Sequence, residues 1–483
     1  MLTKSEFLIF LDSPKHLWAR KNNRTTRSSS PFFKFLGRQG YHVEELAREF
    51  AKEHLLQKYV QKPNSNVEKN LVFQETITRN DLSARSDILI YDDLSQSYDI
   101  YEVKSSTHVK SDYIWDTAFQ YFLFSQKFNI RNVYLIYVNS RYKRGTKFDL
   151  KKFFRVTNLT DDIKQLQDDL QFYISKAKQA IKLKSHNSLE GCLNPKTCPC
   201  KGICHPNLPD YSIYDLWRLN TIEKERLRDK GIINIIDIPQ DFKLSIKQKR
   251  QIEAVKNNKP FIDEKSIIKE LKKFELPLYF LDYETFGPAI PMYEGYKPFQ
   301  HMCFQYSVHK QETESSELEH FEFITTKKEE PSKYLVEDLS QVIGKKGTVI
   351  VWYERFEKTR NTDMAKFNPK YASFLENLNE RIFDLMNIFK NQYYIDANFK
   401  GSSSIKSVLP VLVPEFNYSE LNISEGAEAM VAWYDLVYKD LKMNQKIQLK
   451  EDLLEYCKLD TLAMYEIWKF LNNLVEVNYK MAI

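Results

Sequence analysis

The stretch "LYFLDYETF", Leu278 to Phe286, joins an apolar run typical of a buried strand to two acidic residues. Alternate side chains of a strand share one face, so Asp282 and Glu284 lie on the same side, about 6.5 Å apart along the chain. Two ionised carboxylates in this arrangement repel each other unless a cation lies between them, and Mg²⁺ or Mn²⁺ prefers such oxygen ligands. The stretch therefore predicts a buried strand that ends either at a divalent metal site or at a turn that one acid caps while the other is solvated.

Two later segments supply residues suited to the same chemistry. "VWYERFEKTR" places Glu357 shortly after a predicted strand, and "EYCKLD" places Tyr456 and Asp460 four residues apart, on one face of the last predicted helix. Together with the strand acids, this order of residues resembles the DEDD exonucleases of the DnaQ-like, ribonuclease-H-fold group, in the branch marked by the tyrosine. The resemblance extends from about Pro277 to the C-terminus.

This resemblance implies a 3′–5′ exonuclease site. Tyr456 would orient the attacking water, and two ions about 3.5–4 Å apart would clamp the attacking and leaving oxygens of a phosphodiester. The acids that would hold these Mg²⁺ or Mn²⁺ ions are Asp282, Glu284, Glu357 and Asp460. Glu357 departs from the aspartate that is usual in the family, and Asp384 in "RIFDLMNIF" either joins the site or caps a helix.

A second acid-bearing strand lies in the first third of the chain. "YDIYEVKSS", Tyr98 to Ser106, places Glu102 and Lys104 on one face, and Asp87 precedes the neighbouring strand "ILIY". With a predicted order of helix, three strands, helix and strand, this pattern resembles the PD-(D/E)XK nuclease core. "TAFQYFLF" supplies Gln120 on the following helix, as in the RecB-like branch. The other interpretation is that the glutamate and the lysine form an ordinary ion pair on a strand.

The second resemblance implies its own set of roles. Asp87 and Glu102 would bind a divalent ion, with Glu45 or His42 of the first predicted helix as a further ligand. Lys104 would position water or stabilise the pentacovalent phosphate. The glutamine on the following helix would support that lysine or contact DNA. Each resemblance thus predicts a separate metal-dependent cutting centre.

A cysteine-rich segment with the spacing C-x5-C-x-C-x3-C follows the first predicted domain. Its members are Cys192, Cys198, Cys200 and Cys204. The segment resembles the C-terminal cysteine group of RecB-like nucleases that carry a [4Fe–4S] cluster, in which one ligand comes from near the N-terminus. Here the corresponding "SPKHLW" has Ser13 instead of that cysteine. We therefore expect a [4Fe–4S] cluster completed by Cys200 within one loop, a zinc site that uses His205, or no metal.

Length and composition fit this organisation. A chain of 483 residues predicts two or three domains, and an excess of six positive charges does not by itself indicate a nucleic-acid partner. No stretch has the length of a membrane span, and "MLTKSEFLIFLDSPKHLW" lacks a secretory cleavage site, so we expect a cytoplasmic protein without a membrane partner. In such a compartment the cysteines are thiols or metal ligands.

As a whole, the sequence resembles a bacterial domain-of-unknown-function family that combines a RecB-like and a DnaQ-like nuclease domain. We expect a multidomain α/β protein, with a PD-(D/E)XK-like domain at 1–190, a Cys-rich and helical connector at 191–270, and a ribonuclease-H-like domain at 271–483. The predicted function is a metal-dependent nuclease in DNA repair or antiviral defence, with DNA favoured over RNA. The alternative is a nucleic-acid-binding scaffold with one or both sites inactive.

Overall fold

The computed structural model describes residues 1–26, 30–59 and 70–481 and divides the chain into two compact units. Unit 1 comprises Met1–Asn207 and Gly287–Gln300, and unit 2 comprises Leu208–Phe286 and His301–Ile483. Both units mix helices with β-sheets, as the expected α/β class requires. None of the helices in the described ranges is both long and apolar enough to cross a membrane.

The elements of unit 1 surround a five-stranded sheet. Its strands and those of a small adjoining sheet are β1 (Leu2–Thr3), β2 (Leu71–Phe73), β3 (Thr76–Arg79), β4 (Leu82–Arg85), β5 (Ile88–Asp92), β6 (Ser97–Lys104), β7 (Ile130–Val138) and β8 (Phe154–Asn158). Its helices are α1 (Lys4–Asp12), α2 (Pro14–Lys21), α3 (Pro31–Phe50), α4 (Ser111–Phe124), α5 (Leu150–Phe153), α6 (Thr160–Gln165), α7 (Gln167–Lys182) and α8 (Lys201–Cys204).

The main sheet of unit 1 has the order β2-β5-β6-β7-β8, in which only the β6–β7 pair is parallel. Helix α4 makes the crossover between these two parallel strands. Ile100 of β6 faces the core formed with α1, α4 and α7, whereas Tyr101 and Val103 face the core formed with α3. Because side chains alternate along a strand, Glu102 must lie on the side of α1 and α4.

Unit 2 contains the acid-bearing stretch Leu278–Phe286, which forms a strand as predicted. Its strands are β9 (Phe261–Ile262), β10 (Leu278–Phe286), β11 (Met302–Gln311), β12 (Leu318–Ile324), β13 (Thr348–Val351), β14 (Ile382–Asp384) and β15 (Tyr394–Ile395). Its helices are α9 (Thr221–Asp229), α10 (Ile246–Asn257), α11 (Glu264–Leu271), α12 (Ser332–Val342), α13 (Glu354–Phe367), α14 (Ala372–Glu380), α15 (Met386–Lys390), α16 (Ile405–Leu412), α17 (Gly426–Tyr438) and α18 (Met443–Met481).

Strand β10 is the centre of a five-stranded sheet with the order β12-β11-β10-β13-β14, antiparallel to β11 and parallel to β13. Its odd-numbered residues, such as Leu281, face a core formed with α12, α13 and α14. Phe280 on the opposite face packs against Tyr465 and Trp468 of α18. The even-numbered acids of the strand therefore lie on the α18 side.

The boundaries of the two units differ from the predicted domains. The Cys-rich segment belongs to unit 1, whereas the helices predicted as a connector belong to unit 2. The segment Gly287–Gln300, predicted within the C-terminal domain, belongs to unit 1. There Ala289 joins the α3 core and donates its backbone N–H to Gln39 Oε1 at 2.6 Å. The local sequence does not show that this segment belongs to unit 1, because its residues are held by contacts with distant parts of the chain.

Candidate metal centres

Hydrogen bonds between β11 and α18 fix the position of this helix over the neighbouring strand β10. Gln305 of β11 donates to the carbonyl of Leu453 at 2.7 Å, and the Thr461 hydroxyl lies 2.8 Å from the Ser307 hydroxyl. These contacts hold successive turns of α18 against β11, the strand paired with β10. The helix therefore presents the turn between residues 453 and 461 to the acid-bearing face of β10.

The predicted acids of unit 2 converge on this place. Asp282 is partly exposed, whereas Glu284, Glu357 and Asp460 are buried. The Cys457 Sγ lies 3.7 Å from Asp282 Oδ2, and donor atoms of Asp282, Glu284 and Cys457 lie within 4.8 Å of one another. Acids from β10, α13 and α18, widely separated in sequence, thus form one cluster, which we call the unit 2 cluster.

Asp384 acts at a turn next to this cluster rather than inside it. Its Oδ1 accepts the backbone N–H groups of Tyr353 at 3.0 Å and Met386 at 3.1 Å. Tyr353, which has a positive φ of 93°, immediately precedes α13. The carboxylate therefore fixes the start of the helix that carries Glu357, which is the capping alternative.

Burial raises the pKa values of all four acids of the unit 2 cluster, and repulsion between acids adds to the shift at three of them. Burial is the main cause for Asp282 and Glu284, followed by the charge of Asp460 on Asp282 and of Asp282 on Glu284. The pKa of Glu357 is raised by burial and then by Asp282. Burial raises the pKa of Asp460 to about 6, although hydrogen bonding to Tyr418 opposes the shift. The charges of other cluster acids thus act on Asp282, Glu284 and Glu357, as expected of carboxylates that lie close together.

The described positive charges near the unit 2 cluster, Lys406 and Arg360, act on its acids through space. Within the described ranges, none of its four acids forms an ion pair, and Glu357 Oε2 is buried without a hydrogen-bond partner. Lys406 Nζ lies 5.1 Å from the ring centre of Tyr456 and lowers the pKa of the nearby acids from a distance. An all-oxygen set with an unpartnered buried oxygen fits a hard divalent cation such as Mg²⁺ or Mn²⁺.

Three residues at this site were not among the predicted ones. The Tyr418 hydroxyl donates to Asp460 Oδ1 at 2.6 Å. Lys406 Nζ lies 5.3 Å and 5.1 Å from the ring centres of Tyr418 and Tyr456, and Cys457 Sγ lies 3.7 Å from Asp282 Oδ2. Lys406 and Tyr418 lie in "SSSIKSVLPVLVPEFNYSEL", in which no local pattern singles out either residue. The spacing within α18 indicates which residues of that helix lie near Asp460. It does not indicate that Tyr418, from an earlier segment of the chain, contacts the same acid.

Unit 1 also gathers its predicted strand residues, but together with two additional charges. Lys104 Nζ donates to Glu102 Oε1 at 2.6 Å and forms a second ion pair with Asp116 of α4. Lys4 Nζ, at the start of α1, lies 2.9 Å from Glu102 Oε1 and 3.2 Å from Asp116 Oδ1. We call these four side chains, with Asp87, the unit 1 cluster.

Sequence position explains why Lys4 reaches the unit 1 cluster. It is the first residue of α1, whose N-terminus is fixed by reciprocal hydrogen bonds between Thr3 and Glu6. Strand β1, immediately before it, pairs with β4. The sequence signal for Asp116 was its place one helical turn before Gln120, which puts both on one face of α4.

Of the remaining predicted residues of unit 1, two lie at the unit 1 cluster and two are exposed on α3. Asp87 accepts the backbone N–H of Val103 at 2.8 Å, and Gln120 donates to Glu102 rather than supporting Lys104. Glu45 is exposed, and the neighbouring Glu44 is the α3 acid whose charge acts on Asp87. The reason is helical spacing: Val43 is buried, and a residue two positions later points about 200° away from it. His42 is likewise exposed.

Charges in the unit 1 cluster separate the pKa values of its acids. Burial and the charge of Glu102 raise the pKa of Asp87 to about 8. Burial alone would raise the pKa of Glu102, but Lys104 and Lys4 outweigh it and lower that pKa strongly. Glu102 therefore remains an anion neutralised by lysines, while Asp87 is largely protonated at neutral pH.

Three cysteines of unit 1 lie close to His16 of α2. Donor atoms of His16, Cys192, Cys198 and Cys204 all lie within 4.8 Å of one another. Cys200, predicted as a ligand, lies 3.6 Å from Cys204 but outside this group, and His205 lies 3.2 Å from Cys192. Ser13 donates to the carbonyl of Glu190 instead of facing the cysteines. The signal for His16 was its presence in "SPKHLW".

Comparisons with known proteins show the following similarities. Residues 279–404 match a family model described as a domain of unknown function, DUF2779. The chain is 25% identical over 247 residues to "Uncharacterized protein MG366" of Mycoplasma genitalium, an alignment that covers 47% of this chain and 37% of that protein. The chain thus spans well under two thirds of that relative's length. A solved structure titled "Crystal structure of SSO0001" matches with 14% identity and a TM-score of 0.14, over 27% of this chain and 71% of the other.

Proposed function

We propose that this protein is a metal-dependent nuclease whose unit 2 cluster removes nucleotides from 3′ ends, with DNA favoured as substrate over RNA. The observation that carries the proposal is the convergence of Asp282, Glu284, Glu357 and Asp460, without ion-pair partners among the described residues. Such a concentration of buried negative charge is costly unless cations neutralise it. The order of these residues and the central position of β10 support the resemblance to ribonuclease-H-fold exonucleases.

The side chains of the chain divide the work of this site. The four acids would hold Mg²⁺ or Mn²⁺, which supplies an activated water and neutralises charge on the phosphoryl oxygens. Tyr456 lies on the same helical face as Asp460 and lowers the pKa of that acid, so its hydroxyl is suited to orient a water. Tyr418 holds the Asp460 carboxylate in one orientation. Lys406 contributes a positive charge at the edge of the cluster, where a phosphate would approach.

The order of helix α3, strands β2, β5 and β6, helix α4 and strand β7 in unit 1 supports the resemblance to the PD-(D/E)XK core. On this interpretation Asp87 and Glu102 hold a divalent ion, Lys104 acts on the water or the phosphate, and Gln120 orients Glu102. Binding of an ion by Glu102 requires that Lys4 withdraw, because its ammonium occupies the same carboxylate. We propose that unit 1 cleaves DNA after this exchange.

The position of Lys4 also favours a second function for unit 1, that of a nucleic-acid-binding module that does not cut. Lys4 and Lys104 already balance Glu102 and Asp116, so this cluster has less need of a metal ion than the unit 2 cluster. In that case only unit 2 would hydrolyse phosphodiesters. A unit 1 that cuts would nick circular DNA, which has no ends, whereas a unit 1 that only binds would leave it intact.

Linear and circular substrates separate these activities. We expect wild-type protein to shorten 3′-labelled linear DNA in Mn²⁺ or Mg²⁺, and Asp282→Asn to abolish the shortening while Lys104→Ala retains it. RNA of the same sequence is the comparison for substrate class. The exposed Glu376→Gln is the matched control for removal of an acid in unit 2. Equal shortening by wild type and Asp282→Asn would contradict the proposed unit 2 site.

Circular DNA tests unit 1, because an exonuclease cannot begin on it. A cutting unit 1 would nick the circle in Mn²⁺, and Lys104→Ala would not. If Lys4 restrains metal binding, Lys4→Ala would nick faster than wild type. Retardation of circular DNA in a gel without nicking, for wild type and Lys4→Ala alike, would establish the binding module instead.

A further inference from the structure

We infer that His16, Cys192, Cys198 and Cys204 form a mononuclear tetrahedral zinc site that ties α2 to the Cys-rich segment. This inference does not depend on the nuclease proposal, since it concerns different residues. The segment supplies three thiols, and the histidine comes from a position 176 residues before the first of them. These four donors are the group whose atoms lie within 4.8 Å of one another.

Distances between the donors favour one ion over a cluster. In tetrahedral zinc sites, Zn–S bonds of about 2.3 Å and Zn–N bonds of about 2.0–2.1 Å put the donors about 3.3–3.8 Å apart. His16 Nε2 lies 3.3 Å from Cys198 Sγ. In a [4Fe–4S] cluster each thiolate binds a different iron, which separates the sulfurs by about 6 Å or more. The compact group is therefore too small for that cluster and matches a single ion.

The environment of His16 supports its role as a ligand. The ring is buried, and its Nδ1 lies 2.6 Å from Asp12 Oδ2. This contact leaves Nε2 directed at the thiols, as in the carboxylate–histidine–zinc arrangement of metal sites. The sequence difference at Ser13 is thus compensated three residues later, on the first turn of α2. The tie between the N-terminal helices and the Cys-rich segment is kept, rather than lost to a single loop.

Other contacts position the two segments before any ion binds. Lys15 donates its backbone N–H to the carbonyl of Glu190 at 3.2 Å, and Thr26 donates to the carbonyl of Pro199 at 2.8 Å. Gly191 permits close approach, because a Cβ there would lie 3.0 Å from the carbonyl oxygen of Cys204. Backbone contacts on both sides of the donors therefore restrict their separation, which favours a closed structural site.

Cys200 and His205 compete with this assignment and provide its matched controls. Cys200 packs with Trp18 and Ala19 in a small apolar core, and His205 Nε2 lies 3.2 Å from Cys192 Sγ. The sequence-based alternatives used one or the other as a ligand. If His16 is the ligand, replacement of either competitor will leave the metal in place.

Metal content and spectra of the full-length protein, purified anaerobically, test the inference. We expect one zinc per chain, no sulfide, and an intense visible spectrum typical of tetrahedral thiolate-bound Co²⁺ after cobalt exchange. His16→Gln and Cys198→Ser should lose the ion, whereas His205→Gln and Cys200→Ser should retain it. Because buried replacements can prevent folding, Asp12→Asn is the second variant. Its side chain is 69% exposed, and we expect metal affinity to fall about 10–100-fold.

Three results would overturn the site. They are iron and sulfide with the broad visible absorption of an Fe–S cluster, failure of zinc-supplemented protein to retain any zinc, and loss of zinc in Cys200→Ser or His205→Gln with retention in His16→Gln. An unchanged metal affinity in Asp12→Asn would overturn the proposed role of Asp12. None of these measurements uses nuclease activity, so they remain decisive if the proposed function fails.

Discussion

The two acidic clusters contain similar side chains but differ in charge balance. In the unit 1 cluster, Lys4 and Lys104 contact Glu102 and Asp116 directly. In the unit 2 cluster, the acids have raised pKa values, and Lys406 acts on them only from a distance. Unit 1 is therefore stabilised by its own ion pairs, whereas unit 2 stores repulsion that a divalent cation would relieve. The same substitution should consequently have opposite effects in the two clusters.

The largest expected change in stability comes from Glu102→Gln. It removes one of the two anions, Glu102 and Asp116, that Lys4 and Lys104 share, and loss of one partner from a buried ion pair costs about 3–5 kcal/mol. Hydrogen–deuterium exchange of β6, α1 and α4 peptides reports the loss within unit 1. The exposed Glu45→Gln should change the free energy of unfolding by less than about 0.5 kcal/mol. Equal exchange in both variants would mean that the lysines do not stabilise the cluster.

Glu284→Gln should have the opposite effect on stability. Burial and the charge of Asp282 disfavour the ionised form of Glu284 in the native state, so removal of this charge should stabilise metal-free unit 2 at pH 8, by about 0.5–2 kcal/mol as for other charge-optimising substitutions. Loss of a metal ligand should slow 3′ trimming more than about 100-fold, because even indirect partners of ligands cost 10–100-fold. Exchange of β10 and α18 peptides and a trimming assay measure the two effects. A destabilised variant would contradict the repulsion argument.

The pH dependence of stability should reveal the raised pKa values of acids in both clusters. Raised pKa values mean that the native protein binds more protons than the unfolded chain between about pH 4 and the native values, near 6 for Asp460 and 8 for Asp87. Stability must then fall as the pH rises through this range. We expect the unfolding temperature in EDTA to decrease from pH 5 to pH 8, and Mn²⁺ to remove the decrease. A rise in EDTA would refute the assignment.

The smallest expected effect is that of Cys457→Ala. Its sulfur lies beside Asp282, but Mg²⁺ prefers oxygen ligands, so trimming in Mg²⁺ should change little. Inhibition by Cd²⁺, which prefers thiolates, should weaken. Cys303→Ala removes a buried thiol from the neighbouring strand and should leave Cd²⁺ inhibition unchanged. Equal inhibition of both variants and wild type would show that Cys457 is not at the metal site.

From the sequence, the residues of each acidic cluster could be predicted only where a local spacing places them on one face of a strand or helix. The two-residue spacing on β10 and the four-residue spacing on α18 indicate which side chains share a face, and the helices and strands that carry them are local features. The same reasoning misplaced the α3 acid by one position, because Glu44 and Glu45 are distinguished only by the rotation of the helix. It also missed Lys4, whose partner Glu102 lies 98 residues away.

By itself, the sequence determined which residues are acids, lysines and thiols, and which of them share a face of one strand or helix. These properties follow from side-chain chemistry and from the fixed periods of the backbone. The tertiary structure alone decided which charges meet: Lys4 with Glu102, Tyr418 with Asp460, and His16 with the cysteines. Such pairings depend on how remote elements pack, and no local period encodes that packing.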